Sequence, residues 1–265
     1  MDDYLSIALI LIAVGVVLLV GVAVVFWLLI DLSHGISAPF NRATAPSTVS
    51  TDPWNLPYFA ARSLLRMFAA LAVSVVFTFG YATIAARSRR AEKILIPILD
   101  VLQSVPVLGF LSLTVTGFIA LFPGSLLGLE AASIFAIFTG QAWNMAFAFY
   151  QALRTIPKEL DEAAQLYRFS RWQRFRAVEV PTSMIGLVWN AMMSFGGGWF
   201  FIAASEAISV LNQHYTLPGI GSYVAAAVAA QNLGALGWAV LATLAHLLSG
   251  AAARGVEFEI GRAHV

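Results

Sequence analysis

Residues 154–181 have the sequence RTIPKELDEAAQLYRFSRWQRFRAVEVP, the longest polar stretch among the apolar runs of this chain. Pro157 suits the first position of a helix, and the acidic residues that follow it suit the positive end of the helix dipole. Ser170 can cap a second helix, which Pro181 should end near Val180. The segment therefore predicts a helical hairpin.

The first hairpin helix should carry one apolar stripe. Its residues recur at the spacing i, i+3, i+4 and i+7: Leu160, Ala163, Ala164 and Tyr167. The small alanines allow another protein surface to approach the helix closely. The hairpin is therefore interpreted as a docking element, with an amphipathic hairpin lying on lipid headgroups as the alternative.

The composition on both sides of this hairpin is that of a membrane protein. Of the 265 residues, 60% are apolar and 11% are charged, whereas soluble domains carry about 25% charged residues. A helix needs roughly 20 apolar residues to cross the bilayer core. The predicted fold is all-α, with about six transmembrane helices near residues 5–30, 63–86, 94–122, 127–153, 184–204 and 222–250.

Two of these spans contain residues that interrupt helices. Pro97 and Pro106 fall inside the third span, where they predict a kink or a break. The middle of the sixth span is weakened by Gln231, Asn232 and Gly234.

The chain divides into four predicted parts. Residues 1–31 form a transmembrane anchor, because the apolar run is too long for a signal peptide and follows two aspartates. Residues 32–60 form an extracytoplasmic linker, and residues 61–254 form the main transmembrane domain. The last seven residues, 259–265, match the translation of a sequencing adapter, GAGATCGGAAGAGCACACGTC, and we expect that they are not natural protein.

The positive charges predict the orientation, because cytoplasmic loops carry an excess of lysine and arginine. One side of the membrane would hold Arg87, Arg89, Arg90, Lys93, Arg154, Lys158, Arg168, Arg171, Arg174, Arg176 and Arg254. The other side would hold only Arg42, Arg62 and Arg66. The N-terminus is therefore predicted to be cytoplasmic.

Several kinds of site are not expected. The chain has no cysteine, and His34, His214 and His246 lack the spacing of metal ligands. A phosphate-binding loop needs Gly-Lys-Ser/Thr, but Lys93 and Lys158 follow a glutamate and a proline. We expect no catalytic residue, no metal, no cofactor and no nucleic-acid partner.

The hairpin resembles a known family. Glu162-Ala163-Ala164, with Val178 and Pro181 downstream, is similar to the EAA loop of permease subunits in binding-protein-dependent ABC importers of the type I fold. The resemblance implies that the loop couples the permease to the ATPase through Leu160, Glu162, Ala163, Ala164, Tyr167, Arg168, Trp172 and Pro181. That family usually has glycine where Arg168 stands, so the bend is expected to move to Phe169 and Ser170.

Other segments resemble the nitrate, sulfonate and taurine-type permeases: Ser63-Leu64-Leu65-Arg66, Arg87-Ser88-Arg89-Arg90 and the proline-bearing third span. The resemblance implies a bacterial inner-membrane location and a small solute, for instance an anion such as nitrate or a sulfonate. It also implies four partners: a cytoplasmic ABC ATPase, an extracytoplasmic solute-binding protein, membrane lipid and a second permease half. That half would come from a homodimer, a heterodimer or a fusion on the same chain.

Polar residues inside the spans are candidates for the solute path, because they are costly in lipid. They are Asp100, Gln103, Gln141, Asn144, Asn190 and Glu206. Gly196, Gly197 and Gly198 join them, since glycines permit a helix break or close helix approach. The alternative is hydrogen bonding or close packing between helices, and Glu130 and Glu206 could equally be exposed at the outer ends.

Two other functions are compatible with these patterns. An ion-coupled secondary transporter would need carboxylates at mid-membrane, for which Asp100 is the candidate. A membrane scaffold that transports nothing would need only the hairpin.

Overall fold

The computed structural model describes residues 49–105, 107–210 and 213–244, which form a helical bundle. The helices are α1 (Leu56–Arg87), α2 (Arg89–Ser104), α3 (Leu111–Leu121), α4 (Leu127–Arg154), α5 (Lys158–Leu166), α6 (Arg171–Arg174), α7 (Val180–Glu206), α8 (Ile220–Ala229) and α9 (Leu233–Leu244). The predicted anchor at 5–30, most of the 32–60 linker and the 259–265 tail lie outside the described residues.

Membrane-length helices account for most of this bundle. Among the described residues, Pro53–Arg87 and Arg171–Glu206 are long and apolar enough to cross a membrane. At 1.5 Å per residue, the 28 residues of α4 extend about 42 Å, more than the bilayer core. The predicted all-α membrane fold is confirmed, although α1 begins earlier than the predicted span, inside the segment assigned to the linker.

The sequence patterns did not predict a short antiparallel sheet after α7. Its strands are β1 (Ala207–Val210) and β2 (Gln213–Thr216), and Ala207 lies opposite Thr216. α8 then begins at Ile220, so the strands occupy the connection between two helices.

The central helix of the bundle is α4, which packs against α1, α3 and α7. One buried cluster joins α1, α4 and α7 through Met67, Ala70, Ile137, Phe138, Ala142 and Ile202. A second joins the same helices nearer the hairpin, through Ala82, Ala85, Met145, Phe149, Tyr150 and Leu187. Small residues at these contacts let the helices approach closely, which is how helices pack in membranes.

The predicted third span is broken. α2 continues through Pro97 and ends at Ser104, and a 3₁₀ turn at Val107–Phe110 leads into α3. Val105 is extended (φ −76°, ψ 123°), as is favoured immediately before a proline. The sixth span is interrupted as well, because Gln231 has a φ of 52° between α8 and α9.

The predicted end of the second hairpin helix near Val180 is wrong. α6 continues through a π-helical turn, Phe175–Glu179, directly into α7, and Pro181 lies in the first turn of α7. Neighbouring hydroxyls also donate to two carbonyl oxygens of this turn. Thr182 donates to the Val178 carbonyl at 2.6 Å and Ser183 to the Glu179 carbonyl at 2.7 Å.

Candidate coupling hairpin and translocation site

The bend between α5 and α6 lies at Arg168, which adopts a left-handed conformation with a φ of 51°. The expected shift of the bend to Phe169 and Ser170 is therefore wrong. The Phe169 N–H donates to the Ala164 carbonyl at 2.9 Å and closes the turn. A residue other than glycine pays roughly 1–2 kcal/mol for this conformation, so the chain bends at Arg168 at the cost of strain.

Both hairpin helices begin close to the predicted residues. Ser170 caps α6: its Oγ accepts from the Gln173 N–H at 3.3 Å, and its own N–H donates to the Gln173 Oε1 at 2.8 Å. This reciprocal pair is a capping box. Pro157 is the N-terminal cap of α5, one residue before the helix begins.

Ion pairs attach the hairpin to α1. Arg174 lies 2.7 Å from the Asp161 Oδ1 and 3.3 Å from the Glu179 Oε1, which joins α5, α6 and the π-helical turn. The buried Glu179 also pairs with Arg87 at 2.8 Å, at the last residue of α1. The hairpin is therefore held in a fixed position at this end of the bundle, called here the hairpin end.

The outward surface of the hairpin is apolar. Ala164 faces inward and is buried, whereas Leu160 and Tyr167 from the predicted stripe face outward. Leu166 is 81% exposed and Trp172 is 63% exposed. Glu162 is exposed and Ala163 is half-buried. An exposed apolar patch on a rigid polar segment is typical of a surface that binds another protein.

Three of the predicted path residues line one cavity. Gln103, Asn144 and Asn190, from α2, α4 and α7, surround a space of about 360 Å³ together with Gln151, Phe147 and Ala148. Asp100 lies beside them, because its Oδ1 accepts from the Gln103 Nε2 at 2.9 Å. The other predicted path residues do not line this space, which is called here the amide cavity.

Gln141 and the three glycines lie elsewhere. The Gln141 side chain is fully buried, and neither of its amide atoms has a hydrogen-bond partner among the described residues. A Cβ at Gly198 would lie 3.2 Å from the Gln141 Nε2, so α7 approaches α4 closely there. Gly196 and Gly197 face open space, and α7 runs through all three without a break.

The end of the bundle opposite the hairpin contains a buried charge cluster of Arg62, Arg66, Glu130 and Glu206. Arg66 Nε donates to the Glu130 Oε2 at 2.6 Å and its Nη1 donates to the Glu206 Oε1 at 2.7 Å. Arg62 pairs with Glu130 at 3.2 Å. The cluster connects α1, α4 and α7 with two positive and two negative charges.

The charge cluster also fixes the start of α8. Ser63 donates to Glu206 at 2.6 Å and accepts from the Ile220 N–H at 2.9 Å, and the Gly221 N–H donates to Glu206 at 2.7 Å. A Cβ at Gly219 would overlap the Glu206 carboxylate, so only glycine fits beside it. Sequence reasoning missed the cluster, although both arginines and both glutamates were placed at the same end.

The sequence of the chain matches a known family of transport proteins. The family of the binding-protein-dependent transport system inner membrane component matches residues 78–256, more than half of the chain. This chain belongs to that family. The permease is 22% identical over 202 residues to the nitrate import permease protein NrtB of Leptolyngbya laminosa, a match that covers 71% of this chain and 70% of that relative.

Membership makes the chain an integral inner-membrane permease subunit of an ABC importer, resembling nitrate-type permeases. A permease subunit of this family is not itself the catalyst, and the importer includes an ATPase and a solute-binding protein. The matched region of the permease contains the whole hairpin and all the residues that line the amide cavity.

Proposed function

We propose that this permease forms one half of the path for a small oxyanion of the nitrate or sulfonate class, and that the α5–α6 hairpin couples the path to a separate ATPase. The proposal rests on the exposed surface of the hairpin and on its attachment to the bundle. The hairpin presents exposed apolar side chains, the Arg174–Asp161 ion pair joins its two helices, and the Arg87–Glu179 ion pair attaches it to α1. A displacement of the hairpin by the ATPase would therefore be transmitted to α1, a helix of membrane length.

ATP hydrolysis is assigned to the partner. The chain has two lysines, and neither stands in the Gly-Lys-Ser/Thr sequence that binds phosphate. The hairpin carries Leu160, Leu166 and Tyr167 outward, where an ATPase surface would bury them.

A second permease half would close the solute path. Gln103 on α2 and Asn144 and Gln151 on α4 are exposed, and amides facing lipid are unfavourable. Another copy of this chain, or a related half, would enclose the amide cavity and leave it filled with water. The amides would then donate hydrogen bonds to a small polar solute.

The oxyanion assignment and the orientation have separate support. The relative named as a nitrate import permease supports an oxyanion. The positive-inside rule supports a cytoplasmic N-terminus and hairpin end. Arg62 and Arg66 lie on the opposite side, but both are neutralised by ion pairs in the charge cluster. The excess of positive charge at the hairpin end is therefore larger than a count of arginines suggests.

The coupling role is tested by Leu166→Asp, which places a charge in the outward face of the hairpin without touching a span. The matched control is Trp54→Asp, an equally exposed apolar residue at the other end of α1. Each variant is purified with the ATPase, and co-elution is measured. Loss of the ATPase with Leu166→Asp alone is expected; equal co-elution by both variants and the unmodified chain would refute the coupling role.

A further inference from the structure

An apolar groove of about 590 Å³ lies beside α1 at the hairpin end. Its walls come from α1, α6 and the π-helical turn, and apart from Thr83 and two arginines at one end they are apolar: Val76, Phe79, Gly80, Ile84, Trp172 and Phe175. Phe175 stacks on Trp172 with ring centroids 5.5 Å apart and meets the Phe79 ring edge-on at 5.5 Å. The groove therefore joins a membrane helix to the hairpin along one continuous apolar surface.

One end of this groove is positively charged. Arg87 and Arg171 both line it, and the Arg87 Nη2 lies 3.5 Å from the Arg171 carbonyl oxygen. Arg87 is already paired with Glu179, whereas the exposed Arg171 guanidinium forms no ion pair within the described residues. A positive charge is therefore available where the apolar surface ends.

The length of the groove matches a single leaflet. From Val76 to Arg87 the helix rises about 16 Å at 1.5 Å per residue, close to half of the roughly 30 Å bilayer core. A transmembrane helix would need a groove of twice that length. An acyl chain of one leaflet would fit this length, and its headgroup would then lie beside the two arginines.

We propose that the groove binds an anionic phospholipid, with one acyl chain passing over Gly80 and the phosphate beside Arg171 and Arg87. Basic pockets at the cytoplasmic ends of membrane helices bind such headgroups. Trp172 is 63% exposed at the same level, where tryptophan favours the interface. The lipid would contact α1 and α6 together and so contribute to the position of the hairpin, whichever solute the permease carries.

The test titrates the purified full-length chain with phosphatidylglycerol or with phosphatidylcholine of the same acyl chains, and counts bound lipid by native mass spectrometry. Arg171→Gln should weaken phosphatidylglycerol binding about fivefold, the effect of one arginine near an anionic headgroup, with Arg176→Gln as the control outside the groove. Gly80→Leu should fill the groove and exclude both lipids. Its control is Gly117→Leu, because a Cβ meets open space at both glycines.

Preferential binding of phosphatidylglycerol, lost in Arg171→Gln and Gly80→Leu but retained in both controls, supports the site. Equal binding of the two lipids to the unmodified chain would overturn it. The proposal would also be overturned if inorganic phosphate alone displaced phosphatidylglycerol, or if dimerisation of the chain displaced it. If Gly80→Leu does not fold, the Arg171→Gln and Arg176→Gln pair decides.

Discussion

Arg66 and Glu206 form a 2.7 Å ion pair although 140 positions separate them in the chain, and both side chains are almost completely buried. Glu130 occupies the other side of Arg66, so the guanidinium joins α4 to α7 through α1. Removing one member of a buried pair leaves an uncompensated charge. The charge cluster is therefore expected to hold the end of the bundle opposite the hairpin.

Arg66→Met should destabilise the permease by about 3–5 kcal/mol, because the buried Glu206 loses its ion-pair partner and the buried Glu130 keeps only its longer pair with Arg62. The control is Arg154→Met, whose 3.8 Å pair with Glu92 is half exposed and should contribute less than about 1 kcal/mol. Thermal unfolding of the detergent-purified variants measures both. Equal midpoints for Arg66→Met and the unmodified chain would show that the cluster does not stabilise the bundle.

Arg168→Gly should stabilise the hairpin by about 1 kcal/mol, because glycine adopts a φ of 51° without the cost that an arginine side chain brings. Hydrogen exchange of the α5–α6 amides is the measurement, and slower exchange is expected. The matched control, Gln165→Gly, lies inside α5 and should speed exchange instead. Faster exchange in Arg168→Gly would contradict the strained bend.

The charge beside the amide cavity should affect an anionic solute in a predictable direction. Asp100→Asn removes a negative charge beside Gln103 while an amide oxygen remains to accept its hydrogen bond, so the KM for nitrate uptake should fall. Asn144→Asp adds a negative charge to the cavity lining and should raise the KM. Uptake by the reconstituted importer measures both. Opposite shifts would indicate a cationic solute, and unchanged values would remove the cavity from the path.

The glycines of α7 should separate packing from transport. A Cβ at Gly198 would lie 3.1 Å from the Met67 Cε, so Gly198→Leu should lower the stability of the bundle. Gly196 faces open space, so Gly196→Leu should leave the permease folded but obstruct the path beside a second half. Expression, thermal unfolding and uptake are compared. Normal uptake by Gly196→Leu would show that this glycine is not part of the path.

The helices and the hairpin could be predicted because their causes are local. Apolar length specifies membrane helices, and Ser170 with Gln173 specifies the start of α6 over three residues. The bend at Arg168 could not be predicted, because closure of the turn outweighs the local preference against a positive φ. Pro181 suggested a helix end because the residue before a proline disfavours the helical conformation. No local pattern indicated the π-helical turn that carries the chain into α7 with Pro181 in its first turn.

Some functional residues could be predicted from the sequence and others could not, because some are recognisable from their own polarity whereas others depend on a partner that is distant in the chain. Gln103, Asn144 and Asn190 were selected by polarity alone, and the fold brings them to one cavity. Glu206 was selected by the same reasoning, but its partner Arg66 is distant in the chain, and the pairing depends on how α1, α4 and α7 pack. The signal available in the sequence was that two arginines and two glutamates fall at the outer ends of their apolar spans.

The most direct test of the central claim is nitrate uptake into proteoliposomes that contain the permease with its ATPase, the solute-binding protein and ATP. Uptake is expected to require all of these components and to stop in Leu166→Asp, because the hairpin then no longer holds the ATPase. Uptake driven by an ion gradient without ATP, or undiminished uptake by Leu166→Asp, would contradict this claim.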